Sequence, residues 1–394
     1  MSTIKVNKIE NTGTTNGGVE IDSSGHVTVD DQQIPTAGAL SNRNLVQNGA
    51  MTVSQRSTSK SSLTSGNNYI LDRWRTYIQN IGTYTISQAS DAPAGFKYSY
   101  KIQCTTADAS PAAADDMSFY CPFEGQDLQQ LKKGTSSAES LTLSFWIKSN
   151  KTATGQVNIR DQDNNRLISG TYTVSASGTW EYKTITFPGD TTGALDNDNA
   201  ASISIQWYLD SGSNFSSGSM NTTWGADSTN KRNVNNFGLA SSTNNYWQIT
   251  GIQLEVGSKA TSFEHRSFGD ELSRCQRYFH KSGEIGTAGE WFPGVQTHAE
   301  HGHVMAMGMD GLNDRAIIID SFPTTMRAPG SAVFYPGRDG VTNDADNITI
   351  YNSDAKVTTT AKPTPTTRGF EAYFVGTSSD SRVYTLQYTV DSEL

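Results

Sequence analysis

Residues 141–148 read LTLSFWIK, and this segment decides the fold class of the 394-residue chain. Apolar and polar residues alternate along it, and the apolar ones are Leu141, Leu143, Phe145 and Ile147. A period of two residues is typical of a β-strand that buries one face and exposes the other. Residues 203–209 repeat the alternation with Ile203, Ile205, Trp207 and Leu209. Both segments therefore predict strands that turn one side toward a common core.

The composition extends this prediction to most of the chain. Gly occurs 35 times, aromatic residues make up 10% of the chain, and charged residues make up only 18%. Short strands connected by Gly, Asn and Ser turns fit this composition. Many such strands without a helical period between them predict an antiparallel sandwich, of the jelly-roll type, over residues 41–265. Hydrophobic residues, at 35%, fall below the globular average, so we expect neighbouring chains to complete part of the apolar surface.

Two of the predicted strands change phase along their length, near Lys183 and near Gly251. In each strand, the apolar residues before this point are out of phase with the apolar residues that follow it. A phase change within a strand indicates a β-bulge. We therefore expect a bulge at both places.

The predicted fold is all-β and has four parts. Residues 1–40 contain short apolar pairs between Gly-rich turns, and forty residues cannot bury a core alone, so we interpret them as an extended attachment or oligomerisation segment. The central jelly roll, residues 41–265, follows. Helical spacing over Ser267–Lys281 predicts a short linking helix within residues 266–282. Alternation resumes later, and residues 283–394 are predicted to form a C-terminal β-sandwich domain.

Charge, cysteine content and motifs argue against several function classes. The formal net charge is -9 and the isoelectric point is about 5.2, whereas nucleic acids and anionic membranes attract basic surfaces. No apolar run approaches the length of a membrane span, and three cysteines are too few for a disulfide scaffold. Nucleophile-elbow, phosphate-loop and zinc-protease motifs are absent, so we do not expect an enzyme.

Sugar binding needs aromatic faces that stack on C–H surfaces, flanked by amide and carboxylate groups that reach hydroxyls. Residues 211–245 form a long stretch rich in Asn, Ser and Thr, and long loops are commonly functional. The candidate carbohydrate-binding residues in and beside it are Trp224, Tyr208, Asp210, Asn214 and Asn221. The competing interpretation is that these rings only pack the loop onto the sandwich.

Two segments have residue types that bind metals. The oxygen-rich run from Asp161 to Asn165, with Glu255, is a candidate for a structural calcium site, but it lacks the Gly and the final Glu of a calcium loop, so a plain hairpin turn is favoured. His301 and His303 form a His-x-His pair. Three copies on a trimer axis would supply six imidazoles to a transition metal, although a metal-free loop is the favoured interpretation. No other cofactor is expected.

Several segments resemble one protein family. Residues 254–279, LEVGSKATSFEHRSFGDELSRCQRYF, are similar to a recurrent segment of phage tail-fibre and virion structural proteins. In that family the segment follows a jelly roll, like a carbohydrate-binding module, that contains counterparts of NLVQNGAM at 44–51 and YILDRW at 69–74. The opening STIKVNKIEN at 2–11 resembles fibre proteins of marine or cyanobacterial phages, and the C-terminal part matches only through FPTTMR at 322–327.

The resemblance implies a protein of the virion, a tail fibre or tail-associated appendage that attaches to glycans on the host surface. It also implies a homotrimer that is joined to other tail proteins through its N-terminus. No residue-level sugar site is shared with the family. Two alternatives stay open, namely a purely architectural component, such as a tail-nozzle adaptor or decoration protein, and, less favoured, a glycosidase that degrades capsule.

Overall fold

The computed structural model describes residues 8–10, 18–21, 27–29, 32–33, 41–282, 304–307, 315–336, 347–350, 356–358, 364–375 and 383–394. Two compact units make up the chain, Met1–Phe268 and Gly269–Leu394. Antiparallel strands dominate both units, and the α-helices of the described residues are two short ones. The all-β prediction is confirmed. None of the described helices has the length and apolar character needed to cross a bilayer.

The first four strands form a small antiparallel sheet in the order β1–β2–β3–β4. Their bounds are Lys8–Glu10 for β1, Gly18–Ile21 for β2, Val27–Val29 for β3 and Gln32–Gln33 for β4. Ile9 and Ile21 lie in these strands and are 62% and 42% exposed. These exposed β-branched side chains leave apolar area open to solvent on the described part of the sheet. The attachment role of residues 1–40 stays a prediction.

Eleven further strands of the first unit form one sheet, in the order β12–β9–β15–β7–β6–β8–β13–β10–β11–β14, with β5 paired to β6. The strands are β5 Ser59–Tyr69, β6 Arg75–Ala89, β7 Ser99–Thr106, β8 Asp116–Glu124, β9 Leu141–Ser149, β10 Ala153–Asp161, β11 Arg166–Val174, β12 Glu181–Phe187, β13 Ala201–Ser211, β14 Gly225–Ala226 and β15 Tyr246–Val256. A single helical turn, α1 Ser213–Ser216, follows β13, and four 3₁₀ turns lie at Gly125–Asp127, Gln129–Leu131, Thr229–Lys231 and Leu239–Ser241.

The large sheet curls until its two halves face each other across a hydrophobic core. Trp207 of β13 lies with its ring centroid 5.5 Å from Phe145 of β9, and Phe119 of β8 lies 5.4 Å from Trp247 of β15. These strands are in opposite halves, so the ring contacts close the sandwich. All four side chains are fully buried. The core phase predicted for 141–148 and 203–209 is therefore confirmed.

One of the two predicted bulges is present. The register of β15 against β9 shifts between Thr250 and Gln253, and Gly251 has a left-handed φ of +61° there. The pairing of β12 with β9 is continuous, so the bulge predicted near Lys183 is wrong. The phase change has a simpler cause, because Tyr182 faces outward opposite Trp146 while Phe187 faces the core.

The described part of the second unit contains most of helix α2, Phe268–Gln276, and nine strands. The strands are β16 Phe279–Lys281, β17 Val304–Met307, β18 Arg315–Ser321, β19 Ser331–Pro336, β20 Asn347–Ile350, β21 Lys356–Thr358, β22 Thr364–Pro365, β23 Gly369–Val375 and β24 Val383–Asp391. They form a six-stranded sheet organised around β24 and a three-stranded sheet β18–β23–β22.

The linking helix is shorter than predicted. It ends at Gln276, because Phe279–Lys281 pair with β24 and so take strand geometry. Pairing satisfies the backbone groups of this segment while Phe279 and His280 are buried. The predicted boundaries of the four parts stay predictions, although the division by contacts falls after Phe268, close to the end of the predicted jelly roll.

Candidate functional site

The outer side of β6, β8, β13 and β10 carries a continuous set of polar and aromatic residues. Residues directly opposite each other in antiparallel strands share a face, and the register places this set outside the core. We call it the polar face, and its members are Arg75, Tyr77, Gln79, Asp116, Ser118, Tyr120, Ser204, Gln206, Tyr208, Gln156, Asn158 and Arg160.

A row of side chains crosses four strands of this region. Tyr69 of β5 is opposite Arg75, which is opposite Tyr120, which is in turn opposite Gln206. The guanidinium carbon of Arg75 lies 3.7 Å from the ring centroid of Tyr120, and that of Arg56 lies 4.9 Å from the ring of Tyr69. Cation–π stacking of this kind holds a guanidinium group flat with its N–H donors at its rim.

Gln206 lies in the middle of the polar face. Its amide nitrogen donates to the Ser204 hydroxyl at 3.3 Å, but its buried carbonyl oxygen has no hydrogen-bond partner among the described residues. Leaving a buried acceptor unpaired costs about 1–3 kcal/mol. Such a group is an acceptor that a bound hydroxyl can satisfy, and it is the clearest indication of a ligand on this face.

Asp116 adds a carboxyl group whose charge depends on pH near neutrality. Burial raises the pKa of Asp116 to about 7, and the neighbouring charge of Asp115 adds to the rise, whereas Arg232 opposes it. At neutral pH a substantial fraction of this carboxyl group is therefore protonated and can donate a hydrogen bond. Tyr77, which is half-buried, lies one strand away and donates its hydroxyl to the side-chain oxygen of Gln79 at 3.0 Å.

The loop after β13 covers the β10 side of the polar face. Gln156 and Asn158 each donate a side-chain hydrogen bond of 2.8 Å to the loop, to the carbonyl oxygens of Lys231 and Arg232. Asp227 lies between two guanidinium groups, with bonds of 2.7–2.9 Å from Arg160 and 2.8–2.9 Å from Arg232. Burial alone would raise the pKa of Asp227, but these bonds hold it below its usual range. The β6 side stays more accessible, because Arg75, Tyr77 and Gln79 are half-buried.

Two of the residues predicted to bind sugar are buried. Tyr208 belongs to the polar face, but it is 5% exposed, and its ring packs 5.9 Å from that of Phe215 in the covering loop. Asp210 is 3% exposed, because the register shift after Tyr208 places it opposite the core residue Met117. Its carboxylate accepts from Ala240 N and Asn236 Nδ2, at 2.7 and 3.0 Å. Sugar binding by these two side chains stays a prediction.

Of the other three predicted residues, Trp224 and Asn221 have contacts that hold the loop in place. Trp224 packs partly on the core and donates from Nε1 to the Pro188 carbonyl oxygen at 2.7 Å. The depression beside it has a volume of about 10 Å³, room for one water molecule and not for a sugar ring. Asn221 bonds within its own loop and to Leu167, and Asn214 is exposed. A sugar-binding role for these residues stays a prediction.

One carboxylate of the candidate calcium segment, that of Asp161, contacts an ammonium group. Lys133 Nζ lies 2.6 Å from Asp161 Oδ2 and 3.0 Å from Asp190 Oδ2, and it donates to the carbonyl oxygens of Thr192 and Gly193, both at 2.9 Å. Glu255 is buried, and Thr261 donates to it through both its backbone and its hydroxyl group. Within the described residues, no cluster of His, Cys, Asp or Glu is suited to a metal ion.

The His301 and His303 prediction lies outside the described residues. By contrast, Arg75, Tyr77, Asp116 and Gln206 were missed by the sequence reasoning. A signal exists for Gln206, because it occupies the polar phase of residues 203–209, whose apolar phase was recognised. The other three lie in β6 and β8, whose alternation was not recognised. Their grouping depends on the pairing of β6 with β8 and of β8 with β13, which the alternation alone does not specify.

With this geometry established, the chain can be compared with known proteins. No family model and no curated protein matches it. Solved structures with similar folds are carbohydrate-binding modules and a phage tailspike domain. The tailspike domain, described as the enzymatically active domain of Bacteriophage CBA120 tailspike protein 4, is 12% identical with a TM-score of 0.30, and the match covers 54% of this chain and 21% of that one.

Two of the similar structures are carbohydrate-binding modules in complex with sugars. A family 61 module with β-1,4-galactotriose is 10% identical with a TM-score of 0.28, and the match covers 55% of this chain and 99% of the module. A family 11 module from Clostridium thermocellum with a β-1,3-1,4-mixed-linked tetrasaccharide is 14% identical with a TM-score of 0.27, covering 53% and 99%. TM-scores this low carry no argument about function. The functional argument depends on the residues of the polar face.

Proposed function

We propose that this chain is a non-catalytic, glycan-binding structural protein of a phage virion, a tail fibre or tail-associated appendage that attaches to the host surface. The single observation that carries the glycan part is the unpartnered, buried carbonyl oxygen of Gln206 in the middle of the polar face. Around it the face offers the guanidinium of Arg75, the carboxyl group of Asp116 and the ring of Tyr77. Sugars present hydroxyls that both donate and accept, and C–H faces that stack on rings, so this mixture of groups fits them.

The virion part of the proposal is supported by the sequence segments that resemble tail-fibre proteins and by the small N-terminal sheet. Exposed Ile9 and Ile21 need a cover, and copies of the same segment in a homotrimer, docked on other tail proteins, would supply it. Several copies of a shallow site would also give the adhesion an avidity that one site lacks.

Binding without hydrolysis is supported by the carboxylates near the polar face. Glycosidases use two carboxyl groups, one as an acid and one as a base or nucleophile. Asp116 has the raised pKa of an acid, but Asp227 accepts four hydrogen bonds from two guanidinium groups and is committed to holding the loop. The architectural alternative predicts no sugar binding at all, so the same experiment separates it from adhesion.

The test is binding of the full-length chain to a glycan array, followed by titration with the oligosaccharide that binds best. Gln206→Leu removes the open acceptor, and Tyr77→Ala removes the accessible ring; we expect each to weaken binding about tenfold or more. Lys132→Ala, at an exposed ion pair with Glu139, is the matched control and keeps wild-type affinity. Wild-type affinity in both polar-face variants, or release of reducing ends from the glycan, would overturn the proposal.

A further inference from the structure

A group of aromatic side chains lies on the opposite half of the sheet, outside the core. Tyr182 of β12 is directly opposite Trp146 of β9, and their ring centroids are 5.3 Å apart at an angle of 48°. Tyr182 is 44% exposed, and neither ring belongs to the hydrophobic core cluster. Phe96 and Phe263 lie on the same side, with centroids 5.0 Å apart, and His265 packs against both.

Gly251 joins these rings into one surface. A Cβ atom at this position would lie 2.6 Å from Cζ of Phe96 and 3.1 Å from Cδ1 of Trp146. Both rings therefore contact the bare backbone of the bulge, and a larger residue would separate them. We call the connected surface of Phe96, Trp146, Tyr182, Phe263 and His265 the aromatic face. The bulge in β15 is what allows it to form.

A polar rim borders the aromatic face. Asp91 accepts hydrogen bonds from Lys148 Nζ at 2.8 Å, from Trp180 Nε1 at 3.2 Å and from Gln248 Nε2 at 3.4 Å. Its side chain is 48% exposed, so lone pairs stay available to a ligand. The charges of Asp91 and Lys148 compensate each other, whereas the polar face includes the guanidinium group of Arg75 stacked on Tyr120. The aromatic face is therefore close to neutral.

The rings, the rim and the charge balance favour one kind of occupant. The buried core of a protein–protein interface needs several large apolar side chains, yet among the described residues of this face only Tyr182 is an exposed large hydrophobic one. An open aromatic ring beside hydroxyl, amide and carboxylate groups suits the alternating C–H and O–H surfaces of a sugar. We propose that the aromatic face is a second carbohydrate-binding surface, which takes an uncharged polysaccharide by stacking on Tyr182 and Trp146.

Two surfaces on opposite halves of one sandwich have a functional consequence. One chain would hold two glycan segments at once, so a single copy gains avidity before any oligomer forms. The inference goes beyond the proposed function, because it depends on a different set of residues and holds even if the polar face binds nothing.

The test uses affinity electrophoresis of the full-length chain in gels containing one of three uncharged polysaccharides: mixed-linkage β-glucan, β-1,4-galactan or dextran. The wild-type chain is retarded in at least one of them. Tyr182→Ala weakens that binding about tenfold or more, and Tyr182→Phe, which keeps the ring, stays within about twofold of wild type. Thermal unfolding of each variant confirms that the exposed substitution leaves the sandwich intact.

The variants separate this inference from the proposed function. Gln206→Leu acts on the polar face and leaves the Tyr182-dependent binding in place. No retardation of the wild-type chain in any of the three gels, or wild-type binding by Tyr182→Ala, overturns the aromatic-face inference. Loss of self-association or of a protein contact in Tyr182→Ala, with sugar binding unchanged, would identify a protein-docking surface instead and overturn it too.

Discussion

The polar face and the aromatic face are built from strands of the same curled sheet, yet they present opposite chemistry. On the polar face the ring of Tyr120 is covered by the guanidinium of Arg75, and the accessible groups are donors and acceptors together with the half-buried ring of Tyr77. On the aromatic face Tyr182 is exposed, and the polar groups form a rim around the rings. The difference shows that cross-strand neighbours, more than residue composition, decide whether an aromatic residue is available to a ligand.

The largest expected effect is a loss of stability in the sandwich that carries both faces. Lys133→Met leaves the buried Asp161 without its ammonium partner, while Asp190 keeps its ion pair with Arg166. Breaking a buried ion pair from one side costs about 3–5 kcal/mol. We expect the free energy of unfolding in urea to fall by that amount. Binding at the polar face and binding at the aromatic face should be lost together, at the urea concentration at which the sandwich unfolds. Lys132→Met, beside it and exposed, is the control and changes stability by less than about 0.5 kcal/mol.

A smaller substitution separates the two faces. Gly251→Ala places a methyl group against Phe96 and Trp146 at a residue whose φ is +61°. We expect a loss of about 1–3 kcal/mol in thermal or urea unfolding, together with weaker binding at the aromatic face and unchanged binding at the polar face. Gly66 has a similar positive φ, but a Cβ added there meets nothing within 4 Å. Gly66→Ala therefore measures only the cost of placing alanine in a left-handed backbone conformation. Equal losses in the two variants would show that the rings do not meet at Gly251.

The polar face is also expected to give the sandwich a pH dependence. Because the pKa of Asp116 is raised to about 7 in the folded chain, the unfolded chain releases this proton at lower pH. The contribution of Asp116 to the free energy of unfolding is therefore fully present below about pH 4, and it is lost as the pH rises to 7. Asp116→Asn cannot ionise, so its stability does not fall in this way. We expect the variant to be more stable than the wild-type chain by about 1 kcal/mol at pH 8 and equally stable at pH 4. Parallel stability curves of the two proteins from pH 4 to 8 would contradict this.

Much of the fold could be predicted from local alternation, while most of the site could not. Residues 141–148 and 203–209 show their buried phase directly in the sequence. A register shift after Tyr208 places Asp210 opposite the core residue Met117, and such a shift leaves no mark in the residue pattern. Tyr208 lies on the polar side of β13, and the alternation does not show that the ring of Phe215, from the following loop, packs against it.

The same limit explains the residues that were missed. Arg75 and Tyr120 are far apart in sequence, and their stacking follows from the register of β6 against β8. The two carboxylates near the candidate calcium segment bind Lys133, which comes from a separate turn. Single-sequence patterns contain the phase of each strand but not its partner, so a site that spans four strands is visible only once the register is known.

We propose that the unpaired carbonyl oxygen of Gln206 serves ligand binding and lowers the stability of the fold. The direct test measures affinity for the best array glycan and the free energy of unfolding in the same Gln206→Leu protein. The account predicts a loss of affinity of about tenfold or more, with stability unchanged or raised by up to about 1 kcal/mol, because an unpaired buried acceptor is removed. Unchanged affinity, or a loss of affinity that accompanies a clear loss of stability, would contradict it.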